Sequence, residues 1–355
     1  MQRPPNFDLD RVQNIDLVLD NQVQRFDALH DLVRRLVLVP IEPVSNYSAI
    51  SHVSVDGGMM GIRLDPFNVK FIEIADFFGN EPLKFLMTTD EYGHPENLRF
   101  MDSIPLVRSF LDVLDAASVA EVAQFPTDAG VAMEIGELAC IYDRLVRDPD
   151  TPLLLLKDGL LRTKSIRPEF KSKMLAALAK NTRRRLAGVA KQSRVISILA
   201  SAMHVEKKIP ADITGYIEVA EAVERAAFRW PINYKVLPFG KLYIAKLSSR
   251  SSLLVTVEIP HDFNNNKPIY TNQEIAEIIG CLAKDARYSY PTIGYPQTIM
   301  RAHEKAVRTG FTASIWRQKI IDRLVQRSGN ERLKDILEQA NMVRQHVERR
   351  DLGGV

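Results

Sequence analysis

Four consecutive leucines, Leu153 to Leu156, run into Lys157-Asp158-Gly159. Pro149 and Pro152 bound the run on its N-terminal side. A short, unbroken apolar run between breakers fits a strand buried on both faces, as a central strand of a parallel or mixed sheet is. Such a strand needs helices to cover it. Residues 129–147 (AGVAMEIGELACIYDRLVR) predict one, with Thr127-Asp128 as its N-cap. A second is predicted over 167–185. The chain therefore reads as α/β: a mixed central sheet flanked by helices.

The remaining pattern adds detail. Residues 8–38 place apolar side chains three and four apart, so a long amphipathic helix precedes the sheet. Strand-like runs follow at 51–56, 58–64 and 68–75. Gly57-Gly58 between the first two reads as a turn or a close backbone approach. Segment 76–127 is mixed, with a polar stretch at 88–97 and a helical run near 104–122. A strand is predicted at 186–191, a helix at 193–203 and a short helix near 217–228. Runs 241–247 and 252–259 predict an antiparallel strand pair. Helices close the chain at 272–287, 297–309, 313–327 and 330–349.

The acids fall at telling places in this frame. Asp56 ends the run His52 to Val55 and precedes Gly57-Gly58, while Asp158 ends the leucine run. Glu134 and Glu137 share a face of the predicted helix between them, being three apart. Strand-end Asp, helix Glu, strand-end Asp is the order expected of a ribonuclease-H-like active site. Singly, each Asp-Gly is also a common turn signal, and each Glu is a candidate for a solvated surface charge. Together, converging carboxylates suit Mg²⁺ or Mn²⁺, hard ions that prefer oxygen ligands. Two such ions about 4 Å apart can hold a phosphodiester, an attacking hydroxide and the leaving oxygen.

Other function classes are excluded. There is no HExxH, GxSxG or Walker lysine motif, hence no zinc protease, serine hydrolase or self-sufficient NTPase. No apolar stretch approaches the length of a membrane span, and the first residues lack a basic-then-apolar signal. Cys140 and Cys281 sit in apolar surroundings without metal-ligand spacing. They read as core thiols of a cytoplasmic protein.

Net charge is only +3 over 355 residues, but its distribution is uneven. Segment 162–194 holds eleven basic residues against the single acid Glu169. Arg162, Lys164, Arg183, Arg184 and Arg185 are its candidate DNA contacts. The competing reading is a solvated basic helix face. Lys191, after a strand-like run, is either a surface lysine or a cation that steadies a phosphate. Tyr295-Pro296 precedes a helix bearing His303. Tyr295 could stack on a base, and His303 is either a helix histidine in a polar layer or a metal-adjacent ligand and proton shuttle.

VSVDGG at 53–58, LLLLKDGLLRTKS at 153–165, LAGVAKQS at 186–193 and GYPQTIMRAHEKA at 294–306 resemble, in order, the successive motifs of the NurA nucleases. The resemblance spans about residues 50–325. It implies a ribonuclease-H-like fold and a DNA nuclease dependent on Mn²⁺ or Mg²⁺. It further implies a homodimer that assembles on HerA, a hexameric ATP-driven DNA translocase, and processes DNA ends in repair or in defence against foreign DNA. Asp56 and Asp158 match the family's two aspartates, and Glu137 or Glu134 its helix glutamate, with Glu137 favoured. Tyr295, His303 and Lys191 match its tyrosine, histidine and lysine. Where the family often has a small residue after the second Asp-Gly, and another aromatic beside Tyr-Pro, this chain reads DGLLRT and GYPQT. The expected organisation is an N-terminal helical extension at 1–45, a nuclease domain at 46–328 and a C-terminal helix and tail at 329–355. Metal ligands are expected among Asp56, Glu134, Glu137, Asp158 and His303. The competing functions are a non-catalytic DNA-clamping subunit and a nuclease for branched DNA or RNA.

Overall fold

The computed structural model describes residues 15–42, 51–64, 67–78, 80, 82–89, 98–126, 129–147, 149–163, 165–181, 183–191, 199, 202–203, 205–210, 212–227, 239–307, 313–330, 332–337 and 339. Most of the helix expected over 193–203 and the chain beyond 339 lie outside these residues, as does Lys164.

Among the described residues, ten strands make one mixed sheet. They are β1 (Val39–Pro40), β2 (Ser51–Leu64), β3 (Phe67–Asp76), β4 (Leu83–Thr89), β5 (Leu153–Asp158), β6 (Arg184–Ala190), β7 (Gly215–Glu218), β8 (Gly240–Lys246), β9 (Val255–Asp262) and β10 (Lys267–Pro268). The order across the sheet is β1-β7-β8-β9-β6-β5-β2-β3-β4, with β10 on β9. Strands β2, β3 and β4 form an antiparallel meander, and β5 and β6 add parallel to β2. Numbered by appearance within this half, the order is 3-2-1-4-5, the arrangement of a ribonuclease-H-like sheet. Strands β9, β8, β7 and β1 continue it, each antiparallel to the last.

The leucine run behaves as a doubly covered strand must. Side chains alternate across a strand. Leu153 and Leu155 enter one core, and Leu154 and Leu156 enter the other. Burying each leucine contributes about 2 kcal/mol relative to leaving it exposed. On the first face lie α2 (Pro105–Val113), α4 (Ala129–Arg147) and α5 (Pro168–Lys180). On the other lie α7 (Asn272–Ala286) and α8 (Gln297–Val307). Helix α7 opens with a capping box between Thr271 and Glu274. Between these elements lie α3 (Val119–Val122) and α6 (Glu221–Ala227), and α9 (Ala313–Ser328) follows α8.

The ends of the chain share in the packing. From α1 (Ile15–Arg34), Leu29 and Val33 join a third core with Ile217 and Ile244 of the sheet. Helix α9 and Leu333 and Leu337 pack over Ile62, Leu64, Val69 and Phe71. No helix among the described residues is long and apolar enough to cross a membrane.

Three sequence expectations change. Of the two readings of Gly57-Gly58 the turn falls and the close approach stands: β2 runs unbroken through both, and a Cβ on either would meet a neighbour. Helix α5 stops at Lys180, where Asn181 turns its amide back onto the Ala177 carbonyl, so Arg184 and Arg185 open β6 instead of ending a helix. The mixed segment holds the edge strand β4, which a polar stretch conceals.

Candidate active site

Strand alternation decides which side chains meet. On β2, Ser54, Asp56 and Gly58 face α8: Ser54 Oγ donates to the Thr298 carbonyl, and a Cβ on Gly58 would collide with the Ala306 carbonyl. On β5, Asp158 shares the face of Leu154 and Leu156. Because β2 and β5 are adjacent and parallel, Asp56 within β2 comes level with Asp158 at the end of β5. His303, two turns into α8, reaches the same point.

The resulting group is compact. Asp56, Asp158 and His303 each offer a ligand atom, and these atoms all lie within 4.8 Å of one another. His303 Nδ1 is 2.8 Å from Asp56 Oδ2 and 3.4 Å from Asp158 Oδ2. Tyr295 donates its hydroxyl to Asp158 Oδ1 at 2.7 Å, with the Val189 carbonyl at 3.1 Å. Asp56 is buried, while the His303 side chain is 58% exposed, so the group opens to solvent past the imidazole.

Electrostatics follow from this crowding. Hydrogen bonds to Asp158 and Asp56 push His303 up to about 10, so the metal-free ring carries a proton. Burial and the neighbouring Asp158 push Asp56 up, and His303 pulls it down. The protonated Nδ1 then donates to Asp56 Oδ2. Burial and Asp158 push the Tyr295 phenol well above its usual value, which keeps it a neutral donor. Two carboxylates and an imidazole are donors that Mn²⁺ accepts, and the two oxygens suit Mg²⁺.

The expected helix glutamates sit differently. Glu137 is buried on the α4 side of the sheet, with Oε2 2.9 Å from Lys157 Nζ. Its carboxylate presses on the back of β2: a Cβ on Gly57 would stand 2.6 Å from Glu137 Oε1. Gly57 thus has to be glycine for Glu137 to come this close. Burial pushes Glu137 up to about 7 even with Lys157 opposing it. Glu134 is half-buried one turn earlier. Neither glutamate enters the group formed by Asp56, Asp158 and His303.

Lys157 was missed by sequence reasoning. Burial would lower its pKa, but Glu137, Glu134 and Asp56 together outweigh burial and the ammonium stays charged. The available signal was a lysine on the apolar face of a central strand, where an unpaired cation is not tolerated.

Lys191 is exposed at the end of β6. Its Nζ is 3.3 Å from Thr292 Oγ1 and 6.0 Å from the centre of the Tyr295 ring, which places it beside the acid group. The basic segment, in contrast, is not one surface. Arg162 is ion-paired with Glu224 and Glu258. Arg184 is buried and donates to the Arg144 carbonyl, Arg185 pairs with Glu274 and Glu277, and Arg183 donates to the Asp150 carbonyl. Arg184 lies opposite Leu153 and Arg185 opposite Leu154, whereas Asp158 lies opposite Val189. Arg184 is therefore about 17 Å along the sheet from the acids at roughly 3.3 Å per residue. Lys164 lies outside the described residues.

No protein-family model matches the chain, and no curated protein matches it. Among solved structures it is similar to the NurA nuclease from Sulfolobus solfataricus, at 11% identity and a TM-score of 0.44, over 90% of this chain and 97% of that one. A second NurA structure matches at 10% identity and a TM-score of 0.45, over 92% and 99% of the two chains. A third, of NurA bound to dAMP and manganese, matches at 10% identity and a TM-score of 0.40, over 82% and 92%. At such identities the site residues stand on their own geometry. In its motifs and among solved structures alike, the chain is similar to the NurA nucleases.

Proposed function

We propose that this chain is a divalent-metal-dependent nuclease that hydrolyses phosphodiesters at DNA ends. The observation that carries the reading is the convergence of Asp56, Asp158 and His303 on one point at the edge of a ribonuclease-H-like sheet. A divalent ion held there would polarise the phosphate and acidify a water toward hydroxide.

The protein's own groups prepare that chemistry. Tyr295 fixes the rotation of Asp158 by donating to Oδ1, which turns Oδ2 toward Asp56 and His303. His303 surrenders its proton when the carboxylates are claimed by a cation, and its exposed ring can pass that proton to water. Lys191, close to Tyr295 and exposed, meets the phosphate charge. Glu137, held by Lys157 against Gly57, keeps the strand carrying Asp56 in place.

The further reading follows the motif resemblance: a homodimer working with a HerA-type hexameric ATPase, in repair or in defence against foreign DNA, in the cytoplasm. The lack of a Walker lysine supports an external source of ATP-driven movement.

The test is cleavage of labelled linear DNA by the full chain with Mn²⁺ and with EDTA, beside Asp56→Ala and Asp158→Ala. Cleavage that needs the metal and both acids is expected. DNA binding without cleavage would leave a clamping subunit, and preference for Holliday junctions or RNA–DNA hybrids would change the substrate class.

A further inference from the structure

A cleft of about 730 Å³ opens beyond the end of β8, at the sheet edge that carries the acids. Its polar lining includes Arg250, Lys284, Arg287, Tyr288, Ser248 and Ser249, with one acid, Glu42. Both guanidinium groups stand over one phenol ring: Arg250 is 5.5 Å and Arg287 5.2 Å from the centre of Tyr288. That ring is 69% exposed, and Tyr290, two residues on, is 81% exposed. Among the described residues none of the three cations forms an ion pair, and all three are exposed. A cleft that gathers three cations without carboxylate partners around one exposed phenol, with a second exposed phenol two residues along the chain, suits an anion with flat rings.

The cleft is joined to the acid group by one short segment. Arg287, Tyr288 and Tyr290 begin it, and Tyr295, which donates to Asp158, ends it. Gly294, at φ 92°, packs on Ser251 beside Arg250. Lys191 contacts Thr292 in the middle. Strand β8 is three strands from β5, so the cleft begins roughly 15–20 Å from Asp158. That is about five nucleotides of stacked strand at roughly 3.4 Å each.

We propose that this cleft is a strand-binding subsite. It takes a single-stranded DNA segment, with its phosphates on Arg250, Lys284 and Arg287 and its bases against Tyr288 and Tyr290. The segment leads to the scissile phosphate at Asp56 and Asp158. The inference takes the position of that phosphate from the nuclease reading, but binding at the cleft can be measured without cleavage.

The test measures binding of a labelled single strand of about a dozen nucleotides to the full chain in EDTA, across a range of salt. Arg250→Ala/Arg287→Ala is expected to weaken binding at least about tenfold and to flatten the salt dependence by about 1.4 in log–log slope, the loss of two phosphate contacts. Tyr288→Ala is expected to weaken single strands about tenfold and leave blunt duplex unchanged. Arg147→Ala, which removes an exposed cation at the far end of the sheet, should bind as the parent does. Asp56→Asn should bind but not cut. Parental affinity and slope in a folded Arg250→Ala/Arg287→Ala would overturn the subsite. Because Tyr288 is exposed, its variant decides the matter should the double variant fail to fold. Loss of binding in the cleft variants, with Asp56→Asn still cutting, would remove the proposed metal site and leave the subsite standing.

Discussion

The two faces of the sheet at Asp56 handle charge in opposite ways. On the α4 face, Glu137 and Lys157 are both buried and matched one to one. On the α8 face, Asp56 and Asp158 share a single imidazole that is more than half exposed. One face is neutral and closed, while the other has more negative groups than positive and is open. Both sit on the same four strand residues, 56–57 and 157–158, because alternation sends neighbours to opposite sides. Unmatched charge beside solvent marks a place where a ligand supplies the missing cations, and matched charge in the core marks support for it.

The sharpest way to break this contrast is to remove an acid from each side. Asp56→Ala or Asp158→Ala should lower metal-dependent cleavage by about a thousandfold or more, the loss of several kcal/mol of transition-state stabilisation. Stability should change little or rise, since each removes like-charge crowding. Chelation of the parent by EDTA should reproduce the loss. Full activity in either variant would put the chemistry elsewhere.

Lys157→Ala should do the reverse. It strands Glu137 in the core without its cation and should cost about 3–5 kcal/mol in denaturant unfolding. Glu137→Leu/Lys157→Met should recover most of that, because an apolar pair replaces a buried ion pair at little net cost. The double variant also asks what Glu137 does for the α8 face. A folded but inactive double variant would show that the carboxylate serves the metal as well as the core. A folded and active one would confine it to support.

Tyr295→Phe lies between these extremes. It removes a hydrogen bond to a carboxylate, about 1.5–3 kcal/mol, so about tenfold or more in cleavage is expected with the fold retained. The loss should appear in turnover more than in DNA affinity. A rise in KM alone would show that the ring serves the strand and not Asp158.

Much of this was legible in the sequence, for reasons that can be named. Leu153–Leu156 can be nothing but a doubly buried strand, and the Asp after it must emerge at an edge. The periodicity of 129–147 matches α4 residue for residue. What failed were inferences that needed partners distant in the chain. The arginines of 162–185 looked like one basic surface, because sequence shows their density and hides Glu224 and Glu258, which pair with Arg162, Glu274 and Glu277, which pair with Arg185, and the burial of Arg184. Conversely, Arg250, Lys284 and Arg287 are too scattered to form a run, yet α7 and the end of β8 bring them together. Gly57-Gly58 read as a turn or a close backbone approach, and only the structure chooses the second: both faces of one strand are pressed too closely for any side chain.

His303 gives the smallest and most discriminating effect, through pH. Hydrogen bonds to Asp158 and Asp56 raise its folded-state value to about 10 from 6.5. The folded chain therefore holds this proton more tightly than the unfolded chain does. Its contribution to stability is complete below 6.5 and is lost as pH climbs toward 10. The ring is largely exposed, so solvent screening keeps the contribution modest. Asp56, raised by burial, acts in the same direction but from its lower starting value of 3.8, so the window from 6.5 to 10 belongs to the imidazole. The metal-free chain should lose thermal stability across that window, and His303→Ala should flatten the slope. Mn²⁺ competes with the same proton, so its affinity should strengthen with pH over the same range, by at most about tenfold per unit. A pH-independent Mn²⁺ affinity in the parent would mean that the cation binds without displacing the proton from His303. The ring would then be a bystander to the metal, and the open face would consist of Asp56 and Asp158 alone.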